Sequence, residues 1–407
     1  MRRPQVTAQL AFAPQAARLC LWVYLGALLI SLVYILSTGE LNGDFQGIPL
    51  TVSKSELIFA VFSSVIPYLL CYWLYLKHSR NAGPPTVRVG NTLLGITFFV
   101  FTFWFIFLAA KYKVGVMGLG IYEAPELLTP LIQITNRISP YYLGVFFIVG
   151  YRGSKTTIAL GIFLLITLGL MRASLGVFIY ILFALLIRNQ QQVLQGFRHH
   201  YIKIILFMTL APYAIGELYS LRSELRSEED LYIDTSTAEI ITGRLAGRIS
   251  SISNTLFVFQ ERNNLGSDIQ YLDSFYFQRQ ALAPLLGVKV IPALIPEKIL
   301  VNYYGGTFDN VSYMASVPGT LTFSWLISPG IFIINVLTII LISWICFYFT
   351  NKLCLPYRNE VCFMILLYPM TSGVASEFSF IAVSMVALIL LFTLLSLFRI
   401  RDWRRRK

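Results

Sequence analysis

Charge is scarce in this chain. Asp, Glu, Lys and Arg together make 13% of its 407 residues, and it has three histidines and five cysteines. No Walker or dinucleotide motif is present, and no internal repeat. Gly115, Gly118 and Gly120 form a small glycine cluster, but they follow an apolar run rather than a strand, which is poor context for a phosphate loop. No hydrophilic stretch that would lie inside the cell is long enough to fold around a nucleotide, which argues against an ATP-driven pump and a nucleotide-sugar transferase.

What is present is apolar sequence. Hydrophobic residues make up 56% of the chain and the mean hydropathy is +0.68. A water-soluble domain cannot hide that much apolar surface, and runs of about 20 apolar residues read as bilayer-spanning helices. The pattern predicts an all-α polytopic membrane protein. Helices are expected near Leu19–Ser37, Leu57–Leu76, Asn91–Ala110, Ser139–Gly150, Thr156–Met171, Ala173–Ile187, Tyr201–Gly216, Trp325–Phe349, Val361–Thr371 and Phe378–Phe398. That is about ten spans, and up to twelve if Ala281–Leu300 dips into the bilayer. The first helix lacks a small-residue cleavage site and reads as an anchor.

The basic residues set the orientation. With both termini in the cytoplasm, the inside pieces hold Arg2, Arg3, Arg18, Lys77, Arg80, Arg88, Arg152, Lys155, Arg188, Arg198, Lys203, Lys352, Arg358 and a tail from Arg399 to Lys407 with six more. These are 19 of the 32 Lys and Arg, against two inside acids, Glu360 and Asp402, a net +17 inside and −5 outside. The basic balance therefore implies a bilayer with anionic lipid as the partner, and no nucleic acid. On this map His78, His199 and His200 are inside and no cysteine is outside. Outer disulfides and His or Cys metal sites are excluded there, and acid–base chemistry outside falls to carboxylates.

Organisation follows: residues 1–216 with seven spans, one large extracytoplasmic loop over 217–324, three spans over 325–398, and the basic tail 399–407. The loop carries Thr242-Gly-Arg244-Leu-Ala-Gly-Arg248. Arg244 and Arg248, at i and i+4, share a helix face about 6 Å apart. Like charges so placed repel unless an anion lies between them, and two guanidinium forks can bracket a diphosphate. Salt bridges to Glu239 or Glu261 are the competing reading. Arg172 lies between two apolar runs at the outer end of a tight helical hairpin, where a charge either snorkels or faces an internal cavity. Arg137, before Ser139-Pro140, is a fourth candidate. Glu228-Glu229-Asp230 reads as a solvated charge run, and the many aromatics as interfacial belts and core, with sugar stacking the alternative.

The hairpin Met171-Arg172-Ala-Ser174, then Thr242-Gly243-Arg244 in a long outer loop with Gly266 downstream, then a last group of spans, resembles the bacterial O-antigen polymerase and ligase superfamily. The order of elements covers nearly the whole chain; the literal matches cover few residues. The resemblance implies a glycosyltransferase of the inner membrane, with its site facing the periplasm, that polymerises oligosaccharide repeat units carried on undecaprenyl diphosphate. It needs no cofactor and no metal. Donor and acceptor are both lipid-linked glycans, and a chain-length-regulating co-polymerase is a possible partner. Arg172, Arg244, Arg248 and Arg137 would hold the diphosphate and stabilise the charge that develops as it leaves. Where ligases of the superfamily carry a His-Asn pair, this chain has Asp309-Asn310, so Asp309 is the candidate base, with Glu377 the second choice. The ligase and a non-enzymatic transporter or flippase are the other functions considered. A flippase usually carries charges along its spans, and here the mid-span positions are nearly free of them.

Overall fold

The computed structural model describes residues 14–81, 83–87, 89–116, 124–172, 174, 176–192, 243, 246–264, 275–279, 316–371 and 375–397. The described chain is nearly all helical. In order it forms α1 (Pro14–Thr38), α2 (Lys54–Arg80), α3 (Asn91–Tyr112), α4 (Thr129–Thr135), α5 (Pro140–Gly150), α6 (Lys155–Met171) and α7 (Gly176–Arg188). There follow α8 (Ala246–Ser250), α9 (Ile252–Gln260), α10 (Val317–Ile327), α11 (Pro329–Thr350), α12 (Arg358–Thr371) and α13 (Ala375–Leu397).

Among the described residues, five helices are long and apolar enough to cross a membrane: α1, α2, α3, α11 and the Glu377–Leu394 part of α13. Only 39–50% of each apolar window is buried inside the protein. Side chains such as Trp22, Leu29, Val33, Ile58 and Phe163 point outward, more than half exposed. Apolar faces of that extent find a matching solvent in lipid. Helices α5, α6, α7 and α10 are apolar but shorter. The helix expected over Tyr201–Gly216 lies outside the described residues.

The two ends of the bundle differ in charge. At one end, Thr86 and Val87 donate backbone N–H groups to the Lys352 carbonyl, Arg358 bonds the Gly83 carbonyl, Arg152 donates its N–H to Asn91, and Leu355 fits against Gly150. These contacts gather Arg18, Lys77, Arg80, Arg152, Lys155, Arg188, Lys352 and Arg358 with a single described carboxylate, Glu360. The opposite end carries Glu40, Glu56, Glu126, Glu261 and Glu377 beside its cations.

A single helix is expected across Trp325–Phe349, but the chain breaks at Ser328. Pro329 has no N–H to donate and disfavours helical backbone at the residue before it. Ser328 is accordingly extended (φ −168°, ψ 139°), and its N–H closes α10 on Ser324 while its side chain caps α11 through Gly330. Helix α10 thus starts at Val317, inside the stretch read from sequence as loop. Its first eight residues, through Ser324, are all buried.

Candidate functional site

Two regions hold Arg137, Arg172 and Arg248, three of the four arginines that the sequence singles out. The first is built at the turn between α6 and α7. Arg172 closes α6, its N–H bonded to the Leu168 carbonyl, and the side chain is only 9% exposed. Its guanidinium carbon lies 5.0 Å from the centre of the Phe105 ring, within cation–π range. Tyr141 lies beside it, close enough to interact electrostatically. Gly115, in a left-handed conformation (φ +75°), makes the necessary room: a Cβ there would stand 3.0 Å from the guanidinium carbon. The glycine that reads poorly as a phosphate loop therefore admits an arginine. Phe105, Leu108, Ala109, Val114, Ile132 and Leu168 form the apolar floor, and Tyr141 and Met171 pack on it.

The Arg172 Nε is buried without a hydrogen-bond partner, and among the described residues no carboxylate pairs with this side chain. A buried cation left uncompensated costs several kcal/mol, roughly, so such groups are normally paired. Arg137 lies just before α5, with its side chain exposed and its carbonyl accepting from Ser384 of α13 at 2.9 Å. Tyr141, near the start of α5, thus places Arg137 and Arg172 at one end of the bundle.

The second region is an insertion. The described part of the expected outer loop does not simply cover the bundle; α8 and α9 enter it. Ser250 donates to Ser31 of α1 at 2.9 Å, and Tyr68, near the middle of α2, reaches the Ile249 carbonyl at 3.4 Å. At 1.5 Å per residue, those partners lie roughly 10–20 Å in from the end of the bundle where α1 and α2 are joined. Residues Ile252–Phe259 are all buried. The connection from α1 to α2 clasps the insertion. Gly43 (φ +70°) meets Gly247 backbone to backbone, so that a Cβ on Gly247 would stand 2.3 Å from the Gly43 nitrogen. Ser253 donates to the Asn42 side chain at 2.6 Å and accepts from the Asn42 N–H at 3.0 Å. Phe45 stacks on Phe257 at 4.4 Å, the Gln46 amide lies against Gly243, and Thr51 donates its N–H to Gln260. Arg248 is half-buried on α8 beside this glycine contact.

No family model, curated protein or solved structure matches this chain. The chemistry of the two regions must therefore be read from their own residues.

Arg244 and Asp309 lie outside the described residues. The second-choice base, Glu377, stands in the first turn of α13, half-buried and close enough to act on Tyr142. Tyr142, Tyr180 and Tyr368 form a chain of edge-on ring contacts at 5.8 and 6.0 Å that joins α5, α7 and α12. Sequence reading missed the tyrosines and the Asn42–Ser253 pair. Neither has a local signature, because each partner is contributed by a distant element. A buried arginine flanked by phenol and phenylalanine, at a helix end, suits a singly or doubly charged oxyanion: the guanidinium supplies directed donors and the aromatic wall excludes water.

Proposed function

We propose that the protein is a membrane glycosyltransferase that polymerises oligosaccharide repeat units linked to undecaprenyl diphosphate, with its site facing the periplasm of a bacterial inner membrane. The observation that carries this reading is Arg172, buried at a helix end, its Nε unpartnered and no described carboxylate paired with it. Phe105 and Tyr141 answer this charge only in part, so an anion at the turn would gain from the guanidinium. A lipid diphosphate meets the need at a membrane surface, because its tail stays among the helices while its charge reaches Arg172.

In the proposed reaction an acceptor hydroxyl of one lipid-linked unit attacks the anomeric carbon of the growing chain. The bond from that carbon to the diphosphate oxygen breaks, and undecaprenyl diphosphate leaves with the electron pair. Asp309 takes the hydroxyl proton. Arg172, with Arg244, Arg248 and Arg137, stabilises the charge on the leaving group, a task for fixed donors in a water-poor site. The only charged side chains buried among the described residues are Arg172, Arg358 and Glu360, all at helix ends, which favours a fixed site over a charged path through the bilayer. The test is elongation in vitro. Purified protein in nanodiscs is given lipid-linked repeat units extracted from a source strain lacking this protein. A ladder of products one repeat apart is expected; well-folded protein that leaves the units at unit length refutes the reading.

A further inference from the structure

At the basic end of the bundle, far from Arg172 along α6, lies a cavity of about 550 Å³ between α6 and α7. Its lining is divided by chemistry. Lys155, Arg188, Asn189 and Gln192 supply two cations and two amides, while Ile158 and Leu185 supply apolar wall. Arg188 is not a swinging surface charge: its Nη1 donates to the carbonyls of Ile148 and Tyr151, which fixes the guanidinium at the mouth. Arg152 stands near enough to act on it, adding a third positive charge. Lys155 opens α6 behind the Ser154 cap, so the positive end of the helix dipole adds to the same field. A fixed guanidinium and a second cation beside an aliphatic wall form neither a core contact nor a plain solvated face. Lys155 is exposed, and among the described residues no carboxylate pairs with it.

We infer that this cavity binds the headgroup phosphate of an anionic phospholipid, with the start of an acyl chain along Ile158 and Leu185. The open mouth lies at the charge-rich end that the positive-inside rule places in the cytoplasm, so the lipid comes from the inner leaflet. The opposite end of the bundle supplies a control on α3: Lys111 is an exposed lysine whose ammonium lies over the Phe107 and Tyr112 rings. This site is independent of the glycosyl transfer proposed above, and its test needs no activity.

The full-length protein is exchanged into nanodiscs of phosphatidylcholine doped with phosphatidylglycerol, then released and weighed by native mass spectrometry to count retained phosphatidylglycerol. Lys155→Ala should weaken retention roughly fivefold, the effect of about one charge near a lipid surface, and Lys155→Glu by more. Lys111→Ala should change nothing. Arg188 is left in place because its carbonyl contacts hold the local fold, whereas an acidic residue at the start of α6 is favourable for the helix. Equal retention in wild type and Lys155→Glu overturns the proposal. So does tight binding of inorganic phosphate that phosphatidylglycerol fails to displace, which would assign the cavity to a soluble phosphate.

Discussion

Arg172 and the α8–α9 insertion are both polar features placed inside an apolar bundle, and they are satisfied in opposite ways. The insertion answers most of its buried polar groups through the α1–α2 side, with the Thr255 hydroxyl an exception. Ser250 finds Ser31, Ser253 finds both donor and acceptor on Asn42, and Gly247 closes on Gly43. Arg172 is surrounded by Phe105, Tyr141 and the room beside Gly115, and its Nε is left open. A satisfied polar cluster fixes structure, while an unsatisfied one is stored capacity for a ligand. Substitutions at the serine and glycine contacts of the insertion, and at Arg172, should therefore separate stability from activity.

The largest effect is expected at Arg172. Arg172→Met should cut polymer formation by roughly 30-fold to 1000-fold, the loss of about 2–4 kcal/mol of stabilisation for the developing charge. The same variant should melt no lower than wild type in detergent, because an apolar side chain of similar size removes an uncompensated charge. Gly247→Ala should do the reverse, lowering stability by about 1–3 kcal/mol as the Cβ forces α8 off Gly43. Gly26→Ala, whose Cβ meets nothing within 4 Å, is the matched control and should melt like wild type.

Ser253→Ala follows, at about 1–2 kcal/mol, since it removes the buried hydroxyl that bonds both the Asn42 N–H and its side-chain oxygen. Denaturation followed by circular dichroism in detergent would read it, and a change below the noise would mean that water replaces the hydroxyl. The smallest effect belongs to Arg262, whose ion pair with Glu56 joins the end of the insertion to the start of α2 at the surface. The arginine side chain is 50% exposed, so Arg262→Ala should cost less than about 1 kcal/mol, and less again in high salt.

Much of the bundle could be read from hydrophobic runs. The expected helices at 19–37, 57–76 and 91–110 fall within α1, α2 and α3, because an apolar run of that length has no other stable form in a bilayer. The break at Ser328 left a mark in the sequence as Pro329, but the apolar run continues across it and the run dominates the reading. The insertion was not legible. Its Ser-rich sequence reads as loop, and only pairing with Asn42 and Ser31, more than 200 residues away, lets it enter the bundle. Arg172 was legible as a charge between apolar runs, but the choice between snorkelling and burial depends on Phe105, Gly115 and Tyr141, which no local spacing reveals. Arg244 and Asp309 rest on sequence alone.

The most direct measurement is the affinity of undecaprenyl diphosphate for wild type and Arg172→Met, taken alongside their melting temperatures in the same nanodiscs. Binding roughly 30-fold weaker or more, with no fall in melting temperature, is the result predicted for a cation held in reserve for an anion. Unchanged affinity with a lower melting temperature would make Arg172 a structural residue and contradict the assignment of the site.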